Sequence, residues 1–124
     1  MLVKIVGDRM DRVSREEFIA QLKEVFRKRG GFELYSDGLK QYYIITDEMW
    51  LVVPEDAKIE LVSERDDIDI KYCKYRVSNA KYVIVVSSFP KEYKWEIPDR
   101  TVTIHGDCEF YEELRALQDE LYIP

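Results

Sequence analysis

Histidine occurs once in the 124 residues, at His105, and cysteine twice, at Cys73 and Cys108. A structural zinc site needs four ligands, and a catalytic one three plus water. His105-Gly106-Asp107-Cys108 spaces a His and a Cys three apart, but an acid or a second chain would have to complete the set. The expectation is no metal, with His105 a surface residue beside a helix cap. A Cys–His or Ser–His nucleophile pair would also have to use His105, and the G-x-S-x-G pattern is absent. Glycine is scarce, and Gly7, Gly30, Gly31, Gly38 and Gly106 form neither a P-loop nor a dinucleotide loop. No cofactor is expected. One pair of cysteines is no disulfide framework, so both read as reduced thiols.

No apolar run approaches the ~20 residues that span a bilayer. Met1 to Asp8 lacks the charged lead and small-residue cleavage site of a signal peptide, so the expected location is intracellular (cytoplasmic). Asn occurs once and Gln three times, while charged residues reach 35%. That balance is a hyperthermophile tendency, and the expected source is a thermophilic archaeon or its virus.

What is present is apolar and aromatic mass: 46% hydrophobic residues and nine tyrosines, enough for one packed domain over 1–124. The stretch Ile68 to Ser88 organises the rest. Tyr82-Val83-Ile84-Val85-Val86 is apolar at every position, which predicts a central strand with neighbours on both sides and a helix over it. Ahead of it, Ile68, Ile70 and Tyr72 alternate in one phase and Cys73, Tyr75 and Val77 in the other, predicting a β-bulge near Tyr72-Cys73.

Ser14-Arg15-Glu16-Glu17 reads as a capping box. Phe18, Leu22, Val25 and Phe26 follow on one helical face, and Gly30-Gly31 supplies the stop. The spacing predicts a helix over 14–29. A second helix is predicted after Gly106, capped by Asp107, with Phe110, Leu114, Leu117 and Leu121 on its apolar face. Between them, short runs read as strands at 2–6, 32–35, 39–45, 49–53, 58–61, 68–77, 82–88, 93–97 and 101–105. Asp8 to Arg12 and Ser63 to Asp67 read as charged connections. Asp37-Gly38 marks a hairpin turn. The predicted fold class is α+β: a largely antiparallel β-sheet of about seven to nine short strands, with an N-terminal and a C-terminal helix packed on it.

Net charge is −6. Overall acidity argues against direct non-specific nucleic-acid binding, which rests on a basic surface. The aromatics could line an RNA-stacking sheet, but the basic neighbours such a sheet needs are sparse and the signature of the common RNA-binding sheet domain is missing. Interface anchoring is the preferred role of the tyrosines and tryptophans. Glu109, Glu112, Glu113, Asp119 and Glu120 lie off the apolar face of the last helix, with Tyr122 just beyond. They are the expected partner-binding residues, steering a basic partner electrostatically.

Asp69-Ile70-Lys71 matches the D-x-K step of the PD-(D/E)xK nucleases, with Pro54-Glu55 upstream. In that alternative Glu55 and Asp69 would hold Mg²⁺ while Lys71 steadies the phosphate. Three D/E-x-K triplets exist in this charged chain, at 56–58, 69–71 and 92–94, so composition alone accounts for the match. The family's helix after the motif strand is also missing. The resulting expectation is a small acidic, non-enzymatic interaction protein, regulatory or inhibitory. Its expected partner is a protein of basic or nucleic-acid-associated character. A homodimer could form through a sheet edge or the tail Leu121 to Pro124. The alternatives are the nuclease using Glu55, Asp69 and Lys71, and a structural protein of an assembly.

Overall fold

The computed structural model describes residues 1–26, 31–35, 41–45, 49–68, 70–88 and 100–121. In chain order these form β1 (Leu2–Val6), β2 (Arg9–Val13), α1 (Arg15–Phe26), β3 (Gly31–Tyr35), β4 (Gln41–Ile45) and β5 (Met49–Pro54). They continue with β6 (Lys58–Asp67), β7 (Ile70–Ser78), β8 (Tyr82–Ser88), β9 (Arg100–Gly106) and α2 (Tyr111–Leu121). The fold is α+β, with a six-stranded sheet ordered β2-β1-β5-β8-β9-β3 and a three-stranded sheet ordered β4-β7-β6. Every pairing is antiparallel except β3 with β9, which is parallel. No helix among the described residues is long and apolar enough to cross a membrane.

β8 is interior, between β5 and β9, as its unbroken apolar run predicts. Its alternate residues feed two separate cores. Tyr82, Ile84 and Val86 pack with Phe18, Leu22, Phe110 and Leu114 of the helical side. Val83 packs with Tyr42, Ile44, Cys73 and Tyr75 of the small sheet. The molecule therefore has three layers: helices, large sheet, small sheet. Phe18 is fully buried and meets Phe110 edge-on at 6.3 Å; truncating such a residue to Ala costs about 3–5 kcal/mol.

α1 opens at its capping box. Ser14 Oγ accepts the Glu17 amide at 3.1 Å and donates to Glu17 Oε1 at 3.2 Å. The Glu17 carboxylate thus meets the cap hydroxyl, where the sequence pattern predicts the cap amide. The expected end of this helix lies outside the described residues. α2 begins at Tyr111, three residues later than the Asp107 cap predicts. The Asp107 amide donates to Lys81 O at 3.0 Å. Gly106, at φ +94°, allows that closure, because a Cβ there would overlap the Lys81 carbonyl oxygen.

Several sequence expectations are corrected. The charged segment after Gly7 is a strand: β2 pairs with β1 across a two-residue turn with Gly7 at φ +56°. Only Val13 of β2 is buried, so an edge strand shows no alternation to read. Ser63 to Asp67 is not loop but the second half of β6, held by pairing to β7. The predicted bulge at Tyr72-Cys73 is absent, since β7 stays in register there with both β4 and β6. The irregularity lies on β6, where Val62 is the extra residue between Leu61 and Ser63. The apparent change of phase arises because Tyr72 faces outward while Cys73, Tyr75 and Val77 are buried. β3 and β4 do not form a hairpin with each other. They belong to different sheets, and the Asp37-Gly38 turn lies outside the described residues. The strand predicted at 93–97 lies outside them too.

Candidate functional site

Of the three residues in the nuclease alternative, Asp69 lies outside the described residues. Glu55 follows β5, where its amide bonds Met1 O at 3.2 Å and its carboxylate meets Arg12 Nε at 3.2 Å. Lys71 Nζ contacts Asp8 Oδ2 at 3.0 Å and Glu64 Oε1 at 3.6 Å. Leu2 pairs with Pro54 at one end of β1, and Val6 leads to Asp8 at the other. Glu55 and Lys71 therefore sit at opposite ends of a strand about 13 Å long, and the structure does not bring them together. The hydrogen bond from Lys71 holds the Asp8 carboxyl below its ordinary range, and Asp8 in turn raises Lys71.

The possible zinc set is divided by the large sheet. Cys73 belongs to the core between the sheets, and Cys108 packs against the core under the helices. His105 is half-buried and faces the small sheet, edge-on to Tyr42 at 5.5 Å, which corrects the expectation of a surface histidine. Thr103, two residues before His105 on β9, is half-buried as well. Among the described residues no three His, Cys, Asp or Glu converge as metal ligands. Burial pushes the Cys108 thiol up to about 11 and also raises Cys73.

On the helical layer, Glu109, Glu112, Glu113, Asp119 and Glu120 are all exposed. Arg115 is the only cation within α2 itself. Arg15 of α1 reaches across to pair with Glu113 and lies over the Phe110 ring at 5.0 Å. Tyr122 lies outside the described residues. Beside this face, a cleft of about 330 Å³ is lined by Ser14, Arg15, Tyr82, Glu109 and Phe110 among others. Tyr82 Oη is buried there, and burial together with the Glu109 carboxylate raises its pKa. Arg15 is opposed in this cleft by Glu16 and Glu109.

The opposite face of the molecule has the reverse character. The outer surface of the small sheet is built from cross-strand rows. One row is Gln41, Arg76 and Glu60; the next is Tyr43, Lys74 and Ser63; the third places Tyr72 beside Arg65. Lys74 Nζ lies 5.4 Å from the Tyr43 ring centroid, and the Arg65 guanidinium 4.8 Å from that of Tyr72. Tyr43 is 58% exposed, although its β4 neighbours Tyr42 and Ile44 are buried. Lys58 is exposed at the end of the same face. Among the described residues of these rows the single carboxylate is Glu60, and it pairs with Arg76 at 3.3 Å.

Sequence reasoning missed this surface because its residues come from positions 41–76 on three strands. The available signal was alternation: Tyr43 against Tyr42 and Ile44, and Tyr72, Lys74 and Arg76 against Cys73, Tyr75 and Val77. Comparison with protein-family models, with curated proteins and with solved structures found no match to this chain.

Proposed function

We propose that the chain is a non-enzymatic interaction protein, regulatory or inhibitory, that engages a basic protein partner through the solvent face of α2. The observation that carries this reading is the segregation of charge between layers. Four exposed carboxylates of α2, Glu112, Glu113, Asp119 and Glu120, follow the exposed Glu109, with Arg115 as the only cation in α2, while the outermost strand face carries lysine and arginine. A clustered field of one sign steers a complementary partner and sets its orientation more than it adds affinity.

The test is retention of proteins from the source cell on the immobilised full chain, compared with Glu112→Lys and Glu113→Lys together. A basic, nucleic-acid-associated protein held by the wild type and lost from the double variant supports the proposal. Equal retention by both forms rejects it.

A further inference from the structure

We propose that the outer face of the small sheet is a binding surface for single-stranded nucleic acid, with Tyr43 and Tyr72 as stacking platforms and Lys58, Arg65 and Lys74 as phosphate contacts. The proposal concerns the layer opposite α2 and stands or falls independently of the protein-partner reading.

Single strands are held by two features in combination: aromatic rings that accept bases, and a basic track for the backbone. Both occur here. Tyr43 pairs in register with Lys74, and Tyr72 lies two residues before Lys74 on β7, so the tyrosines are diagonal neighbours. Such neighbours stand about 7–8 Å apart, within reach of adjacent nucleotides of one extended strand. Each ring already has a cation over its face. A base that takes that face displaces the cation toward the flanking phosphate, which exchanges one favourable contact for two. Arg65 can also stack through its planar guanidinium.

The rings set among the cations select nucleic acid over an acidic protein as the occupant. A sheet face presenting only cations would fit either. Two ring faces interleaved with those cations fit bases between phosphates. Glu60 does not defeat the site, because Arg76 neutralises it in the neighbouring row. The whole-chain charge of −6 does not describe this face, where Lys58, Arg65 and Lys74 stand beside the Arg76–Glu60 pair.

The test is fluorescence anisotropy of a labelled oligouridine and a labelled oligothymidine of about 12 nucleotides, with a duplex of equal length for comparison. At low ionic strength the wild-type chain is expected to bind a single strand more tightly than the duplex. Tyr43→Ala and Tyr72→Ala are each expected to weaken binding roughly tenfold. Affinity should fall with salt at a log–log slope of about −2, for three phosphates neutralised. Lys74→Glu should weaken binding, whereas Lys23→Glu, the same charge change on α1, should not. Which oligonucleotide binds tighter assigns the site to RNA or DNA. Thermal melting confirms that the tyrosine variants are folded, as expected for substitutions on an exposed face. Absence of binding by the folded wild type overturns the proposal. So does binding that the tyrosine variants leave intact, or a duplex that binds as well as a single strand.

Discussion

Tyr75 Oη donates a hydrogen bond to the carbonyl of Gly7, 68 residues earlier in the chain. Tyr75 is fully buried in the core between the sheets, and Gly7 turns the β1–β2 hairpin. This bond and the neighbouring Lys71–Asp8 pair fasten the small sheet to the tip of that hairpin. Tyr75→Phe keeps the ring and removes the donor, leaving the Gly7 carbonyl without it. The expected cost is about 1–2 kcal/mol, a fall of several degrees in melting temperature. Lys71→Ala, whose contacts are exposed, should change the melting temperature far less. Equal effects of the two substitutions would show that the phenol is not the fastening contact.

Gly106 offers a sharper test of the backbone. At φ +94°, with the Lys81 carbonyl oxygen where a Cβ would stand, any side chain is excluded twice over, by conformation and by contact. Gly106→Ala should destabilise the protein by at least about 2 kcal/mol in denaturant unfolding. Gly7→Ala, at φ +56° with open space around it, should cost less. A near-neutral Gly106→Ala would contradict the β8–β9 closure described above.

Alkaline pH should unfold the protein early. Burial raises Cys108 from 9.0 to about 11, and Tyr42 and Tyr75 from 10.0 to about 12. Below pH 9 these groups are neutral in both states, and the linkage contributes no pH dependence. Above it the unfolded chain loses protons first, so stability falls as pH rises through the window from 9 to 12. Denaturant midpoints at pH 8 and pH 10.5 measure this, and the expected midpoint is lower at pH 10.5. Asp8 acts at the other extreme. Its carboxyl is held below 3.8 by Lys71, so its small contribution is present above pH 3.8 and lost as pH falls further.

Reversing Glu112 and Glu113 to lysine should slow association with the retained partner about tenfold at low salt. The difference should vanish as salt screens the field. A change confined to the dissociation rate would locate the effect in contacts rather than steering.

The elements with a strong internal period were legible in the sequence. The all-apolar run of β8 predicts its interior place, and Ser14 to Glu17 predicts where α1 starts. What escaped were features set by neighbours. β2 has one buried residue and no pattern, and Ser63 to Asp67 is strand only because β7 pairs with it. Tyr72 looked like a core residue out of phase, yet it faces outward under Arg65. The acidic helix face was readable because a helix gathers residues close in sequence. The basic face of the small sheet was not, because Tyr43, Arg65 and Lys74 meet only when three strands pair in register.

On the proposed reading the chain binds a single strand and leaves it uncut. The most direct measurement incubates the full chain with a labelled single-stranded oligonucleotide and Mg²⁺ or Mn²⁺, then reads both complex formation and strand length. The expected result is a complex that contains the strand at full length. Shortened products that disappear with Lys71→Ala would contradict it and make Lys71 part of a catalytic site.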